Sequence, residues 1–289
     1  MQSVKSRRSL SFLVLTVLYV LAAAGGVWFY RLLPGPFWLR LLLADVAATA
    51  FIFVFSCIFR NASVYDPYWS VQPIVIVWGF ALGQTLTPLR MLLLFAVTVW
   101  GCRLTANWAY TFHGLTHQDW RYTHYEQTTG RLYPLINFTG IHLVPTLIVY
   151  ACTLPVVFAL QYDCTLHPLS IVFSLLSVCA FTLQAAADVQ MHSFRLRRQA
   201  GQTGSPFIRE GLWRNSRHPN YLGEILMWWG VGLCAVCSMP HRWYLLLGAV
   251  ANTVLFLTVS IPLADRRQST KPGAADYMAH TRRLLPLRK

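Results

Sequence analysis

Charge is what this sequence has least of. Only 12% of its 289 residues are Asp, Glu, Lys or Arg, and just ten of those are acidic. Soluble domains carry about a quarter charged residues, so a water-soluble globular chain is excluded. The acids are scattered, and no His, Cys or carboxylate group has metal-ligand spacing, so no metal site is predicted. A Gly-x-Gly-x-x-Gly fingerprint, a phosphate-cradling P-loop and a nucleophile elbow are all missing. Their absence excludes a Rossmann domain and an α/β-hydrolase. Seven cysteines make an odd count and sit mostly in apolar runs. The pair Cys234 and Cys237 in "CAVC" has redox-motif spacing but no flanking charge, and reads as small apolar packing residues. Repeats and interdomain linkers are lacking too, so residues 1–289 are expected to form one integral membrane domain.

Apolar length is what the chain has in abundance: 55% of it is hydrophobic. Runs long enough to cross a bilayer, about 20 residues, recur throughout. Eight candidate spans cover residues 10–30, 37–59, 68–84, 89–112, 138–161, 168–190, 221–238 and 242–264. The third is short and holds a proline, which leaves a seven-span reading open. The predicted fold is an all-α polytopic transmembrane helical bundle of seven to eight spans. The net charge of +14 is one-sided: with eight spans, 20 of the 24 Lys and Arg residues fall on the face that holds both termini. That imbalance predicts cytoplasmic N- and C-termini and accounts for the basic surplus without a nucleic-acid partner. The N-terminal "SRRSLSFLVLTVLYVLAAAGG" resembles a signal peptide, but its length favours an uncleaved first helix. A multi-pass protein of a bacterial inner membrane or the endoplasmic reticulum is expected.

Four ionisable groups lie within spans, where each is costly: Asp45, Arg103, Asp188 and Glu224. Asn220, Glu224 and Trp228 recur at i, i+4 and i+8 in "WRNSRHPNYLGEILMWWG", a stripe of amide, carboxylate and indole that can bind a polar ligand. The bland alternative is a Glu paired with an arginine of a neighbouring helix. Arg195, Arg197 and Arg198 cluster in "FRLRR", suited to phosphate oxygens or to anionic lipid head groups. Arg103, Asn107 and Tyr110 share a face of the fourth span. Asp66 and Tyr68 in "SVYDPYWS", with Asp119 and Tyr122 in "HQDWRY", are the candidate proton donors. Asp66 can equally cap the helix that follows it. His142, His241 and Asn252 read as core or interfacial residues.

"SRHPNYLGEILMWWG" followed by a span and "ADYMAHTRRLLPL" resembles the C-terminal module of the membrane steroid 5-alpha-reductase-like superfamily. "SVYDPYWS" and "VWGCRL…QDWRY" bring the likeness closest to its DUF1295 branch, over residues 60–289. The resemblance implies a helical-bundle enzyme that uses NADPH to deliver a hydride to a polarised C=C bond of a lipid or steroid-like enone. By position it also implies that Asp188, Arg195, Asn220, Tyr221 and Glu224 contact the nucleotide. Arg217 and His218 match the Arg-His-Pro start of the shared motif, Tyr277 the tyrosine of the closing tail, and Arg103 and Asn107 an upstream cofactor pair. Two departures stand out. The early-span glutamate that polarises a steroid ketone is missing, leaving Asp45 and Asp66 as the only early acids. The methyltransferase branch carries paired glutamates where this chain has "LADRRQ". An S-adenosylmethionine-dependent methyltransferase and a non-enzymatic lipid-binding membrane protein remain the alternatives.

Overall fold

The computed structural model describes residues 5–286. Twelve α-helical segments run along them: α1 Arg8–Leu32, α2 Phe37–Phe59, α3 Tyr68–Ala81, α4 Pro88–Thr111, α5 Trp120–Thr129, α6 Tyr133–Ile136, α7 Val144–Gln161, α8 Pro168–Gln199, α9 Pro219–Ser238, α10 Leu247–Leu255, α11 Ile261–Ser269 and α12 Ala274–His280. Among the described residues there is no strand, only an isolated bridge between Ser216 and Arg282. Seven helical stretches are long and apolar enough to cross a membrane: Arg8–Leu32, Phe37–Phe59, Pro88–Thr111, Trp120–Gln161, Pro168–Gln199, Pro219–Ser238 and Pro240–Ser269. The all-α membrane bundle is therefore as expected, in its seven-span form. The missing eighth is α3. It has 14 residues with Pro73 inside, so at 1.5 Å per residue it reaches about 21 Å, short of the roughly 30 Å hydrocarbon core.

The chain divides into two compact units, Met1–Thr85 with Val97–Val157, and Leu86–Ala96 with Phe158–Lys289. In the first, α1 and α2 pack through small residues, and a Cβ on Gly26 would lie 3.8 Å from Ala44 O and Ala48 Cβ. Leu15, Leu18, Ala22, Ile52, Phe59, Val64, Tyr65 and Tyr68 form the core there. Arg60 ends α2 at φ 48°, in the left-handed region. The chain then turns through Ala62–Val64, where the Asn61 side chain accepts from Ser63 N at 2.8 Å and donates to Leu115 O at 2.7 Å. Gln118 Oε1 accepts from Ala62 N at 2.8 Å, and Ser63 Oγ accepts from Asp119 N at 2.9 Å. These bonds lock the loop before α3 to the loop before α5.

In the second unit α8 and α9 approach unusually closely. A Cβ on Gly223 would meet Gln184 Cγ at 2.5 Å and Ala180 O at 2.6 Å, and one on Gly230 would meet Ser177 and Phe173 O. The two glycines are seven residues apart, two turns of one face, the small-residue pattern that lets membrane helices touch backbone to backbone. Ser170 Oγ donates to Cys234 O at 2.7 Å along the same seam.

Candidate functional site

The first unit holds a buried carboxylate. Asp45 on α2, 5% exposed, accepts from Tyr68 Oη at 2.9 Å and from Gln72 Nε2 at 2.7 Å. Tyr68 and Gln72 are i and i+4 on α3, so one helix face supplies both donors. Tyr65 stacks on Tyr68 with ring centroids 5.4 Å apart. A phenol whose hydroxyl points at a carboxylate can hold, and hand over, a proton at a fixed place. Sequence reasoning marked Asp45 as costly and as one of two early acids, and missed its partnership with Tyr68. The i, i+4 pair Tyr68 and Gln72 was the available signal.

Asp66, also in the first unit, accepts from Tyr122 Oη at 2.7 Å. Burial and the neighbouring Asp119 carboxylate push its carboxyl up to about 6, against the pull of Arg121 and of the Tyr122 and Ser63 hydroxyls. It does not cap α3. The capping acid is Asp119, which accepts from Arg121 N at 2.9 Å at the start of α5 and pairs with the Arg121 side chain at 2.8 Å. The four candidate donors thus separate: Tyr68 goes with Asp45, Tyr122 with Asp66, and Asp119 serves its own helix. Arg103, Asn107 and Tyr110 lie on α4, with Tyr110 60% exposed.

In the second unit Glu224 sits between α8 and α9, 4% exposed. Its Oε2 accepts from Gln184 Nε2 at 2.6 Å and its Oε1 from Trp228 Nε1 at 2.9 Å. Glu224 and Trp228 thus meet at i and i+4 of one helix, and Gln184 of the neighbouring helix donates to the other carboxylate oxygen. One turn before it, Asn220 Oδ1 is buried without a hydrogen-bond partner. Tyr221 stacks on the His218 ring, 5.2 Å between centroids at 6°.

Cations gather beside this pair of helices. Burial and the guanidinium groups of Arg267, Arg198 and Arg195 hold the Lys271 ammonium below its ordinary range. Like charges are expensive to assemble unless an anion joins them. Arg195 and Arg198 share a face of α8 at i and i+3, whereas Arg197 points elsewhere and pairs with Glu210. Asp188 lies two turns before Arg195 and acts on it electrostatically. Arg267 and Lys271 were missed in the sequence because they come some 70 residues after Arg195 along the chain.

The Arg-His-Pro loop is held by α11 and by the end of α12. Arg217 makes a fork to Asp265, Nε to Oδ1 at 3.2 Å and Nη2 to Oδ2 at 2.7 Å, and its Nη1 donates to Met278 O at 3.1 Å and Thr281 O at 3.0 Å. His218 Nε2 lies 2.9 Å from Asp265 Oδ1 and Arg283 Nε 3.3 Å from Oδ2. Tyr277 donates its hydroxyl to Trp213 O, and burial pushes its phenol up to about 12, so it stays neutral. Asp265 is thus the shared anion for three basic side chains. Asp265→Ala should destabilise the protein by about 3 kcal/mol, because the Arg217 guanidinium, 9% exposed, is left without its counter-ion. A lower apparent melting temperature in detergent, read by tryptophan fluorescence and faster proteolysis after Tyr277, checks it.

The family described as "Protein of unknown function (DUF1295)" matches residues 52–284. The chain belongs to the DUF1295 family. An uncharacterized protein of Schizosaccharomyces pombe is 26% identical to this DUF1295 chain over 217 residues, 67% of the chain and 62% of that relative. The chain therefore spans about 62% of the length of the curated relative it matches. No solved structure matches it.

Proposed function

We propose that this DUF1295 protein is a membrane-embedded reductase that adds hydride from NADPH to a polarised C=C bond of a lipid or steroid-like enone. The observation that carries the reading is the Asp45–Tyr68 pair. Adding hydride to the β carbon of an enone builds negative charge on the ketone oxygen, and a hydroxyl aimed at that oxygen lowers the barrier. Tyr68 supplies the hydroxyl when Asp45 carries a proton and donates it to the phenol oxygen in turn, while Gln72 on the second Asp45 oxygen holds that carboxyl in place. This aspartate stands in for the early glutamate that the resembling steroid reductases carry.

The residues of the second unit fit the cofactor. Arg195, Arg198, Arg267 and Lys271 form a cation cluster matched to a pyrophosphate and an extra monophosphate. The unpartnered Asn220 Oδ1 offers an acceptor to a carboxamide N–H. Tyr221, Trp228 and the Glu224 that Gln184 and Trp228 hold in place shape the surroundings of that amide. Arg217, His218 and Tyr277 act by fixing the loop that starts α9. Bound NADPH would supply the hydride. S-adenosylmethionine has no phosphate and gives the cluster no role, which disfavours the methyltransferase reading.

Cytoplasmic placement of both termini belongs to the same proposal. Seven spans alone would put the termini on opposite faces, so this placement requires an eighth crossing, by the 14-residue α3 through a bilayer thinned around it.

Nucleotide binding tests the reading. The purified protein should bind NADPH more tightly than NADH, and not bind S-adenosylmethionine. Arg195→Ala and Lys271→Ala should each weaken NADPH by about 10- to 150-fold, the loss of one charge-assisted hydrogen bond of about 1.5–3 kcal/mol. Arg197→Ala should change little. Calorimetric titration measures all of these, and tight S-adenosylmethionine binding with no NADPH binding would make the protein a transferase.

A further inference from the structure

Arg242 lies in the turn Pro240–Leu246 between α9 and α10, over the Tyr162 ring at 3.9 Å and the Phe158 ring at 5.0 Å. A guanidinium laid on a ring keeps its N–H groups in its own plane, aimed outward around its edge. Arg8, Arg40, Arg121 and Arg209 also lie over rings, and each gives a donor to a nearby protein oxygen. Arg8 reaches Ala109 O at 2.8 Å, Arg40 Tyr30 O at 2.9 Å, Arg121 Asp119 Oδ1 at 2.8 Å and Arg209 Gly273 O at 2.8 Å. Arg242 differs. Among the described residues its one hydrogen-bond partner is the Tyr244 hydroxyl at 3.4 Å, a long contact, and no carboxylate pairs with it.

A second cation stands beside the first. Arg90 of α4, 6% exposed, donates from Nε to Ala159 O at 3.0 Å and from Nη2 to Tyr162 O at 3.3 Å. Tyr162 thus carries one guanidinium on its ring and another on its carbonyl, which favours an anion at this place. The neighbours fix its depth in the membrane. Trp243 is 66% and Tyr244 42% exposed, and indoles and phenols of membrane proteins collect at head-group level. From there Leu247, Val250 and Val254 continue down α10 at i, i+3 and i+7 as an exposed apolar stripe. His167 N donates to Ser238 Oγ at 3.2 Å, so the start of α8 lies at this end of the unit, and Arg195 and Arg198 lie at the other.

We propose that Arg242 and Tyr244 hold the phosphate of a membrane phospholipid whose acyl chains lie along the stripe of α10. The edge of the guanidinium meets two phosphate oxygens at once, and the Tyr244 hydroxyl donates to the same group. Tyr162 and Phe158 act from beneath, fixing the plane of the fork. The apolar stripe is the reason for a lipid as the source of the phosphate, since a soluble anion has no use for it. This inference does not rest on the reductase reading.

Thermal unfolding in phosphate-free detergent tests it. Titrated phosphatidylglycerol should raise the apparent melting temperature of the wild-type protein. Its half-effect concentration should rise by about 10- to 150-fold in Arg242→Gln, the factor of one lost charge-assisted hydrogen bond. The difference should persist in an Arg195→Ala background, where the cation cluster at the other end of α8 is weakened. Diacylglycerol, with the same chains and no phosphate, should protect far less. Native mass spectrometry should find a retained phospholipid on the wild-type protein and lose it in Arg242→Lys, which keeps the charge without the fork. That variant decides the matter if the glutamine protein does not fold. Equal half-effect concentrations in wild type and Arg242→Gln, or a phospholipid retained equally by Arg242→Lys, overturns the proposal. Protection by diacylglycerol as strong as by phosphatidylglycerol, or by inorganic phosphate alone, overturns it as well.

Discussion

Replacing Asp45 with asparagine is expected to abolish most turnover, by about 10²–10⁴-fold in kcat, the usual contribution of an aligned general acid. The amide keeps the size of the side chain but presents an N–H where an oxygen now accepts from Tyr68 or Gln72, so the phenol loses its orientation. Tyr68→Phe should cost a similar factor while leaving NADPH affinity unchanged, since the cation cluster is untouched. Rates of NADPH oxidation with an enone lipid, paired with nucleotide titrations, separate the two effects. The competing donor is the Asp66–Tyr122 pair. Burial raises the Asp66 carboxyl to about 6, so if Asp66 were the acid, activity would be full below that pH and fall as the carboxyl ionises above it. Loss of activity in Asp66→Asn together with a normal Asp45→Asn protein would transfer the donor's role to Asp66.

Gly230→Ala should be strongly damaging for a single added methyl. Its Cβ would run into the Ser177 hydroxyl and lie 2.9 Å from both Phe173 O and Ser177 N, and backbone atoms cannot swing aside as a side chain can. Forcing α8 and α9 apart costs about 1–3 kcal/mol or more by overpacking. It also lengthens the Gln184–Glu224 bond, now 2.6 Å. Thermal unfolding in detergent should show the loss, with Gly25→Ala as the control. Nothing lies within 4 Å of a Cβ on Gly25, so that substitution should be neutral or gain a few tenths of a kcal/mol to about 1 kcal/mol from the stiffer unfolded chain. Equal melting temperatures for the two variants would mean that the close seam does not hold the unit together.

Helices and spans were legible because the signal behind them is local: long apolar runs and punctuating prolines are properties of neighbouring residues. The Asn220–Glu224–Trp228 stripe was legible for the same reason. What escaped were pairings between distant segments. Asp45 meets Tyr68 across 23 positions, Asp265 meets Arg217 across 48, and Lys271 joins Arg195 across more than 70. No periodicity encodes such pairings. Arg197 shows the converse fault: adjacency in "FRLRR" suggested a trio, yet successive residues on a helix point about 100° apart, and Arg197 leaves the cluster for Glu210. Asp66 misled through its neighbour proline, which suggested a cap where the carboxyl meets Tyr122 instead.

The length of α8 has a consequence for the host membrane. Its 32 residues extend about 48 Å, well beyond a hydrocarbon core of roughly 30 Å. About three turns therefore stand clear of the acyl chains, and Arg195 and Arg198 occupy the last of them. A lipid slab thicker by a few ångströms, as between the endoplasmic reticulum and a sterol-rich plasma membrane, takes up part of that overhang and draws the guanidinium groups toward the head groups. There they meet lipid phosphates that compete for the same nitrogens. On the proposed reading, nucleotide affinity would in this way be coupled to hydrophobic mismatch, a property of the lipids rather than of the polypeptide.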